Sequence, residues 1–396
     1  MQKDAMNLFS EKHEMFRQTV KRFVREEIVP HAQEWDEKEY FAKEETLSTL
    51  AELGCTGITF PEKYGGMNED WIMSLVFTEE ISYASIGGWT LSITASTDMG
   101  QPHFYNWTTE EQRQKYLVPL IKGEAICAPW ATEPGGGTDL SAITTHASKK
   151  NGYWVVNGIK QFASNSVNGD YGTILVRTNP DPKVEHKGFS MFMVELRWPG
   201  IHVVPMKKMF WRTADTGTIY LEDVKVPAEN LLGEEGRGFY QQLVGYERER
   251  LSLAVSAVCQ ADHAVQLASA YAKERKAFGR PISQFQAIQH KLVDLATIVE
   301  AARQLTYKAA AMFVVGEEGK QSAETRRMIY MAKAFACDQA IHVVAETLHI
   351  FGSYYITSDM AISRIYRDVV PWSTGGGTTE AQKNVTAQLM GFGKSY

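Results

Sequence analysis

Residues 238–280, GFYQQLVGYERERLSLAVSAVCQADHAVQLASAYAKERKAFGR, read as one long helix followed by a turn. Leu251, Ala254, Val255, Val258, Val265, Ala268 and Ala272 recur at helical spacing, and Leu253, Ala257, Ala261 and Ala264 fill a second face. A helix apolar on most sides belongs inside a bundle rather than on a surface. The run Glu247-Arg248-Glu249-Arg250 is out of place there, because four charges beside a close-packing helix need water, partners or a cleft. At 100° per residue Glu247 and Glu249 point in nearly opposite directions, so one at most faces a given cleft. A solvated turn with internal ion pairs is the common fate of such a run, and a catalytic carboxylate is the sharper one. The helix alone leaves both open.

Working outward, the 396 residues, 44% hydrophobic and 22% charged, suit a soluble chain of two or three domains. The net charge of −6 and the lack of a dense basic run argue against nucleic acid as a partner. Cys55, Cys127, Cys259 and Cys337 are scattered, with no CxxC and no paired histidine spacing, so neither zinc nor an iron–sulfur cluster is expected. That usage fits a reducing compartment. The opening MQKDAMNLFSEKHEMF has no signal-peptide core, and no run reaches transmembrane length. A cytoplasmic setting without membrane contact is expected, an organelle presequence upstream being left open.

The pattern changes twice along the chain. Residues 1–124 read as helical, with a stripe of Phe16, Val20, Phe23, Val24 and Ile28 that ends before Pro30. A second helix runs to Gly54, others cover about 71–85 and 90–104, and Thr109-Glu-Glu opens another with a cap signal. Residues 125–236 hold short β-branched and aromatic runs at 153–156, 172–177, 189–194, 201–204 and 218–221, the signature of a small β domain. From 237 to 396 the pattern is helical again, with long elements near 284–315, 322–350 and 358–367. A Gly375-Gly-Gly377 turn and a last helix from about Thr379 follow. The fold class is α+β, in three segments ordered α, β, α.

Four motifs lie at the seams. Thr132-Glu-Pro-Gly-Gly-Gly-Thr-Asp139 brings backbone N–H groups and two hydroxyls close to a ligand, yet lacks the Rossmann and Walker spacings. Asn157-Gly-Ile-Lys-Gln-Phe-Ala-Ser-Asn165 reads as a hairpin turn leading into an aromatic and a hydroxyl. Glu274-Arg-Lys-Ala-Phe-Gly-Arg-Pro281 with Phe285-Gln-Ala-Ile-Gln289 is the third, and Val369–Gln382, VVPWSTGGGTTEAQ, the fourth. Each alone could be a plain loop. In this order and at these separations they closely resemble the acyl-CoA dehydrogenase family, over nearly the whole chain.

That resemblance implies an N-terminal helical domain, a central β-barrel-like domain and a C-terminal four-helix bundle, with FAD held between them and across a subunit contact in a homotetramer or dimer. Pro129, Ala131, Thr132, Gly137 and Thr138 would lie along the flavin. Phe162 and Ser164 would cover its ring where the family usually has Trp and Thr. Arg275, Phe278, Gln286 and Gln289 would reach a neighbouring subunit's FAD, as would the His349–Gly352 turn. Thr378 and Glu380 would close over the adenosine or pyrophosphate end. The acyl-CoA substrate would run along Thr138, Tyr246, Glu247, Arg250 and Gly377, with Arg250 contacting the CoA or ordering the base. Asp98, on the helix that should floor the acyl pocket, reads first as a capped or solvated residue; its alternatives are reading a polar acyl group or serving as base for a ring substrate.

The family's usual catalytic glutamate is replaced here by Gly376. In the isovaleryl and long-chain branches the base is instead a Glu in a Glu-Arg-Leu step of the long helix, and Glu249-Arg250-Leu251 matches that step. The implied activity is α,β-dehydrogenation of an acyl-CoA. Glu249 takes the α-proton, the Gly376 backbone N–H helps hold the enolate oxygen, a hydride leaves the β-carbon for flavin N5, and an electron-transferring flavoprotein accepts the electrons. The alternatives are a member drifted to enoyl-CoA reduction, desulfination, monooxygenation or cyclic acyl-CoA oxidation, or a non-catalytic flavoprotein subunit.

Overall fold

The computed structural model describes residues 8–393, so the first seven residues of the opening stretch lie outside the described part. Helices come first: α1 (Glu11–Phe23), α2 (Ala32–Glu37), α3 (Lys43–Glu52), α4 (Trp71–Ser82), α5 (Gly87–Thr94), α6 (Gln101–Asn106), α7 (Glu110–Gln112) and α8 (Val118–Ile121). Seven strands follow: β1 (Cys127–Trp130), β2 (His146–Lys150), β3 (Tyr153–Ser164), β4 (Tyr171–Arg177), β5 (Phe189–Glu195), β6 (Ile201–Pro205) and β7 (Thr216–Pro227). The chain then returns to helix with α9 (Gly238–Glu274), a two-stranded hairpin of β8 (Lys276–Ala277) and β9 (Arg280–Pro281), and α10 (Gln286–Val315). It ends with α11 (Ala323–Phe351), α12 (Ala361–Val369) and α13 (Thr379–Leu389). The α, β, α order is the one the sequence pattern carries.

Local chemistry explains most element ends. Ser10 and Thr109 each form a capping box, with His13 and Gln112 returning the bond. Pro30 does not end the first helical run as its sequence suggests. The chain widens into a π turn at Val24–Ile28 and passes Pro30 at the start of a 3-10 turn, where no helical N–H is missed, before α2 continues.

The sheet runs β1-β4-β2-β3-β7-β6, with β5 paired to β4 off that path. β1 and β4 are parallel, while β3 and β7 are antiparallel. β4 and β5 are buried along almost their whole length, whereas β2 exposes four of its five residues. The hairpin turn expected at Asn157-Gly158 is absent, because β3 continues through it to Ser164. A Cβ on Gly158 would stand 2.3 Å from Thr145 Oγ1, so this glycine serves a close approach rather than a turn. A second irregularity between Lys160 and Ala163 gives Phe162 a φ of 55°.

One core runs through all three segments. Trp154, Val156, Ile174, Phe192 and Ile219 of the sheet join Leu91, Ala95 and Met99 of the first segment and Leu253, Ala254, Ala257 and Val258 of α9. Burying a side chain such as Leu253, 1% exposed, contributes roughly 1.5–3 kcal/mol. The alanines of α9 face Ala336 and Ala340 of α11 in the same core, and small residues allow two helices to pack closely. Among the described residues no helix is long and apolar enough to cross a membrane, and no group of metal-ligating side chains is found.

Candidate active site

The turn between α12 and α13 lies against the early part of α9. Gly376 and Gly377 have φ of 61° and 97°, the left-handed region that favours glycine, and Thr378 then caps α13 by accepting from the Ala381 N–H. The turn's carbonyls are taken up by side chains. Arg250 Nε donates to Gly376 O at 3.0 Å, and Gln382 Nε2 to Gly376 O at 2.9 Å and Gly377 O at 3.0 Å. Lys333 Nζ donates to Ser373 O at 2.8 Å and Gly377 O at 2.6 Å.

The two glutamates of α9 part as their angular spacing requires. Glu247 is buried and accepts from Arg326 Nε at 3.2 Å, an internal ion pair. Burial pushes its carboxyl upward, while Arg326 and Arg250 pull it back. Glu249 faces the glycine turn. A Cβ on Gly376 would lie 3.4 Å from Glu249 Oε1 and 3.0 Å from Leu253 Cδ1. Side chains at 249 and 376 would therefore compete for one volume, which gives the glycine a steric reason to accompany the helix glutamate. Glu249 is half-buried. Burial drives its carboxyl up to about 7, with Arg250, Lys333 and the Gly376 backbone pulling the other way. A carboxylate titrating near neutrality can hold or release a proton at working pH.

Arg250 turns inward to the protein. It is 7% exposed, lies over the rings of Tyr246 (5.1 Å) and Tyr330 (4.6 Å), and ties α9 to the turn. What this geometry orders is the glycine turn beside Glu249. Of the capped or solvated reading of Asp98, the solvated half is corrected: the residue is buried and hydrogen-bonded. It sits on a π turn, 2% exposed, and accepts from Ser252 Oγ at 2.8 Å and Thr78 Oγ1 at 3.4 Å, so hydroxyls of α9 and α4 satisfy it. Burial raises it and Arg248 lowers it. Glu380 is exposed in the first turn of α13, its carboxyl held low by its own backbone N–H and Thr378.

The expected flavin residues gather at the β1–β3 junction. Trp130 Nε1 donates to Ser164 O at 2.7 Å, and the Gln161 N–H to Thr132 O at 2.8 Å, which holds Pro129–Thr132 alongside Phe162–Ser164. Ala131 is buried, and Gly137 and Thr138 are exposed in the loop. Phe162 is 61% exposed on its strained bulge, and strain of this kind persists where the surroundings impose it. An open aromatic face beside a glycine loop fits a planar ring with an anionic tail, which is the shape of FAD.

Sequence reasoning passed over what fixes this loop. Lys160, fully buried, donates to Glu133 Oε1 at 2.7 Å, Leu175 O at 2.6 Å and Ala131 O at 3.2 Å. Glu133 also accepts from the Thr144 and Thr145 N–H groups. Burial brings Lys160 down to about 8; burial raises Glu133 too, but Lys160 and the Thr144 and Thr145 bonds together hold it low. The signal was present as a lone lysine in the second motif and a glutamate in the first. Lys333, a lone lysine amid the apolar residues of α11, was likewise overlooked.

The remaining residues form a second group at the other end of α9. Phe278, 96% exposed with φ of 53°, stands at the tip of the β8–β9 hairpin, with Arg275, Gln286 and Gln289 exposed nearby in sequence. His349 and Gly352 prove to be the last turn and the cap of α11 rather than a loop, linked to α9 by the Tyr271–Phe351 ring contact at 4.8 Å. From Glu249 to Arg275 the helix rises roughly 40 Å at 1.5 Å per residue, too far for both ends to serve one ring system.

Comparison with known proteins gives the family of the whole chain. The family models for the acyl-CoA dehydrogenase N-terminal, middle and C-terminal domains match residues 10–124, 128–224 and 236–391. A 3-(aryl)acrylate reductase of Clostridium sporogenes is 38% identical over 96% of this chain and 99% of its own. A probable acyl-CoA dehydrogenase of Bacillus subtilis is 36% identical over 96% and 98%. The crystal structure of an acyl-CoA dehydrogenase from Geobacillus kaustophilus superposes with a TM-score of 0.91 at 33% identity, covering 97% of this chain and 99% of that one. The chain belongs to the acyl-CoA dehydrogenase family of FAD-dependent oxidoreductases that act on CH–CH groups.

Proposed function

We propose that this protein interconverts an acyl-CoA thioester and its α,β-unsaturated counterpart, with Glu249 as the base. The observation that carries the reading is the half-buried Glu249 carboxylate set against the Gly376 turn, its pKa near 7. An α-proton of a thioester is weakly acidic, so its removal needs a base within ~3 Å in a site poor in water. The Gly376 N–H, turned toward Glu249 in the structure, is a donor this chain can offer to the oxygen of a thioester lying between them; one such donor typically contributes ~3 kcal/mol. Bound FAD supplies hydride acceptance and donation. Pro129–Thr132, Phe162 and Ser164 would hold its ring, and Thr138, Tyr246 and Gly377 would line the thioester's path.

A group that titrates near neutrality serves either direction, giving its proton back to the α-carbon when an unsaturated substrate is reduced. The reductase among the relatives makes that second direction a specific alternative. The exposed Phe278 arm and the roughly 40 Å that separates it from Glu249 support a dimer or tetramer in which each arm completes a neighbour's FAD site. An electron-transferring flavoprotein is the proposed redox partner.

The test is anaerobic mixing of the holoenzyme with a panel of acyl-CoA thioesters, followed through flavin absorbance, and of the reduced enzyme with the enoyl partners. Glu249→Gln should retain FAD and ligand and lose roughly 10²–10⁴ in rate. Glu247→Gln, whose hydrogen-bond partner is Arg326 and which points away from the glycine turn, should stay near the native rate. Undiminished bleaching in Glu249→Gln would move the base elsewhere.

A further inference from the structure

We propose that Lys333 is a positioning residue of this site: its ammonium orients the glycine turn through two carbonyls and supplies a positive charge that helps keep Glu249 available as a base. The inference rests on the reading of Glu249 above. Lys333 is 0% exposed on α11, and both of its hydrogen bonds, to Ser373 O at 2.8 Å and Gly377 O at 2.6 Å, go to neutral acceptors. A wholly buried ammonium without a bonded carboxylate is costly, and a protein retains one where its charge or its bonds serve something else.

What they serve is visible in the turn. Ser373 and Gly377 bracket Gly376, and Lys333 holds both, while Arg250 and Gln382 hold the Gly376 carbonyl. A backbone whose carbonyls are drawn to these donors presents its intervening N–H groups elsewhere, and the Gly376 backbone is the one that reaches Glu249. An apolar side chain at 333 would take the side-chain donor from the Ser373 carbonyl, leave the Gly377 carbonyl to Gln382 alone and loosen the turn.

The charge acts on the base directly. Glu249 is faced by Arg250 and Tyr246 on its own helix and by Lys333 on α11. Lys333 in turn is faced by Glu249 and Arg250 of α9, by Cys337 and Asp338 on its own helix, and by Glu380 of α13. Of the two cations near Glu249, Arg250 lies over two aromatic rings and is bonded to the turn; Lys333 adds a second, fully desolvated one. Both favour the ionised carboxylate against its burial.

The experiment compares Lys333→Gln, Lys333→Met and Lys333→Arg holoenzymes. Gln keeps a donor for the turn without the charge, Met removes both, and Arg keeps the charge. The rate of flavin bleaching by a reactive acyl-CoA is measured from pH 5.5 to 9.5, alongside hydrogen exchange of residues 373–378. In Lys333→Gln the acid limb of the profile should move up by about one pH unit, a loss of roughly 10-fold below the limb with recovery above it. Lys333→Met should show the same displacement and faster exchange in the turn; Lys333→Arg should keep the native limb. A limb that stays in place in both Gln and Met, or a uniform loss at every pH, would overturn the proposal. A fully active Glu249→Gln measured in parallel would instead remove the reading on which it rests, so the two failures are told apart.

Discussion

Replacing Glu249 with glutamine is expected to make the protein more stable at high pH. In the fold its carboxyl is raised from 4.5 to about 7, so the folded chain binds this proton more tightly than the unfolded chain does. Stability is therefore undiminished below about pH 4.5, falls as pH rises between the two values, and carries the full penalty above pH 7. A shift of roughly 2.5 units at 1.36 kcal/mol per unit is about 3 kcal/mol, or about 2 kcal/mol allowing for the solvent that reaches a half-buried side chain. Glutamine is nearly isosteric and never ionises, so Glu249→Gln should recover that amount at pH 8.5 and almost none of it near pH 4.5. Denaturant unfolding of the two holoenzymes at the two pH values reads the difference. An equal gap between native and variant at both pH values would refute the reasoning, because a lost contact has no pH dependence of this form. On the proposed reading of Glu249, that stability is given up to keep a base poised.

Two further predictions concern the flavin side. Phe162→Gly relieves a φ of 55° and should stabilise the apoprotein by about 1 kcal/mol while FAD is lost more readily on dilution; unchanged flavin retention, followed by fluorescence, would take the ring out of the site. Lys160→Met leaves Glu133 buried without its cation and should cost about 3–5 kcal/mol, much of it restored by adding Glu133→Gln. Denaturant midpoints measure both, and a single variant within 1 kcal/mol of native would show that the pair does not hold the loop.

Much of the fold was legible because periodicity over long stretches is a strong signal. Residues 238–274 alternate small and branched apolar side chains at helical spacing, and α9 spans them without a break. The losses came where a local cue had two meanings. Asn157-Gly158 is a common turn pair, yet here the glycine lets β3 pass Thr145, a contact distant enough in sequence to leave no local trace. β1 holds a proline, and β2, His-Ala-Ser-Lys-Lys, exposes most of its side chains, so neither shows strand alternation of apolar residues. Of the site, the glutamate–glycine exchange was readable as a motif, but its reason, one volume for two side chains, needed coordinates. Lys333 and the Lys160–Glu133 pair escaped because a charge read in its own stretch carries no hint of a partner distant in sequence.

The continuous core has a consequence for how such proteins can be recombined. Family matching divides the chain into three pieces, but side chains from all three interlock at Ala95, Met99, Phe192, Leu253 and Ala257. A chimera that exchanges the middle piece alone inherits a mismatched seam, and the seam reaches Leu253, beside the Gly376 turn. Portable units should therefore be drawn by packing: the strands travel with the inner faces of residues 91–99 and of α9, or they do not travel at all.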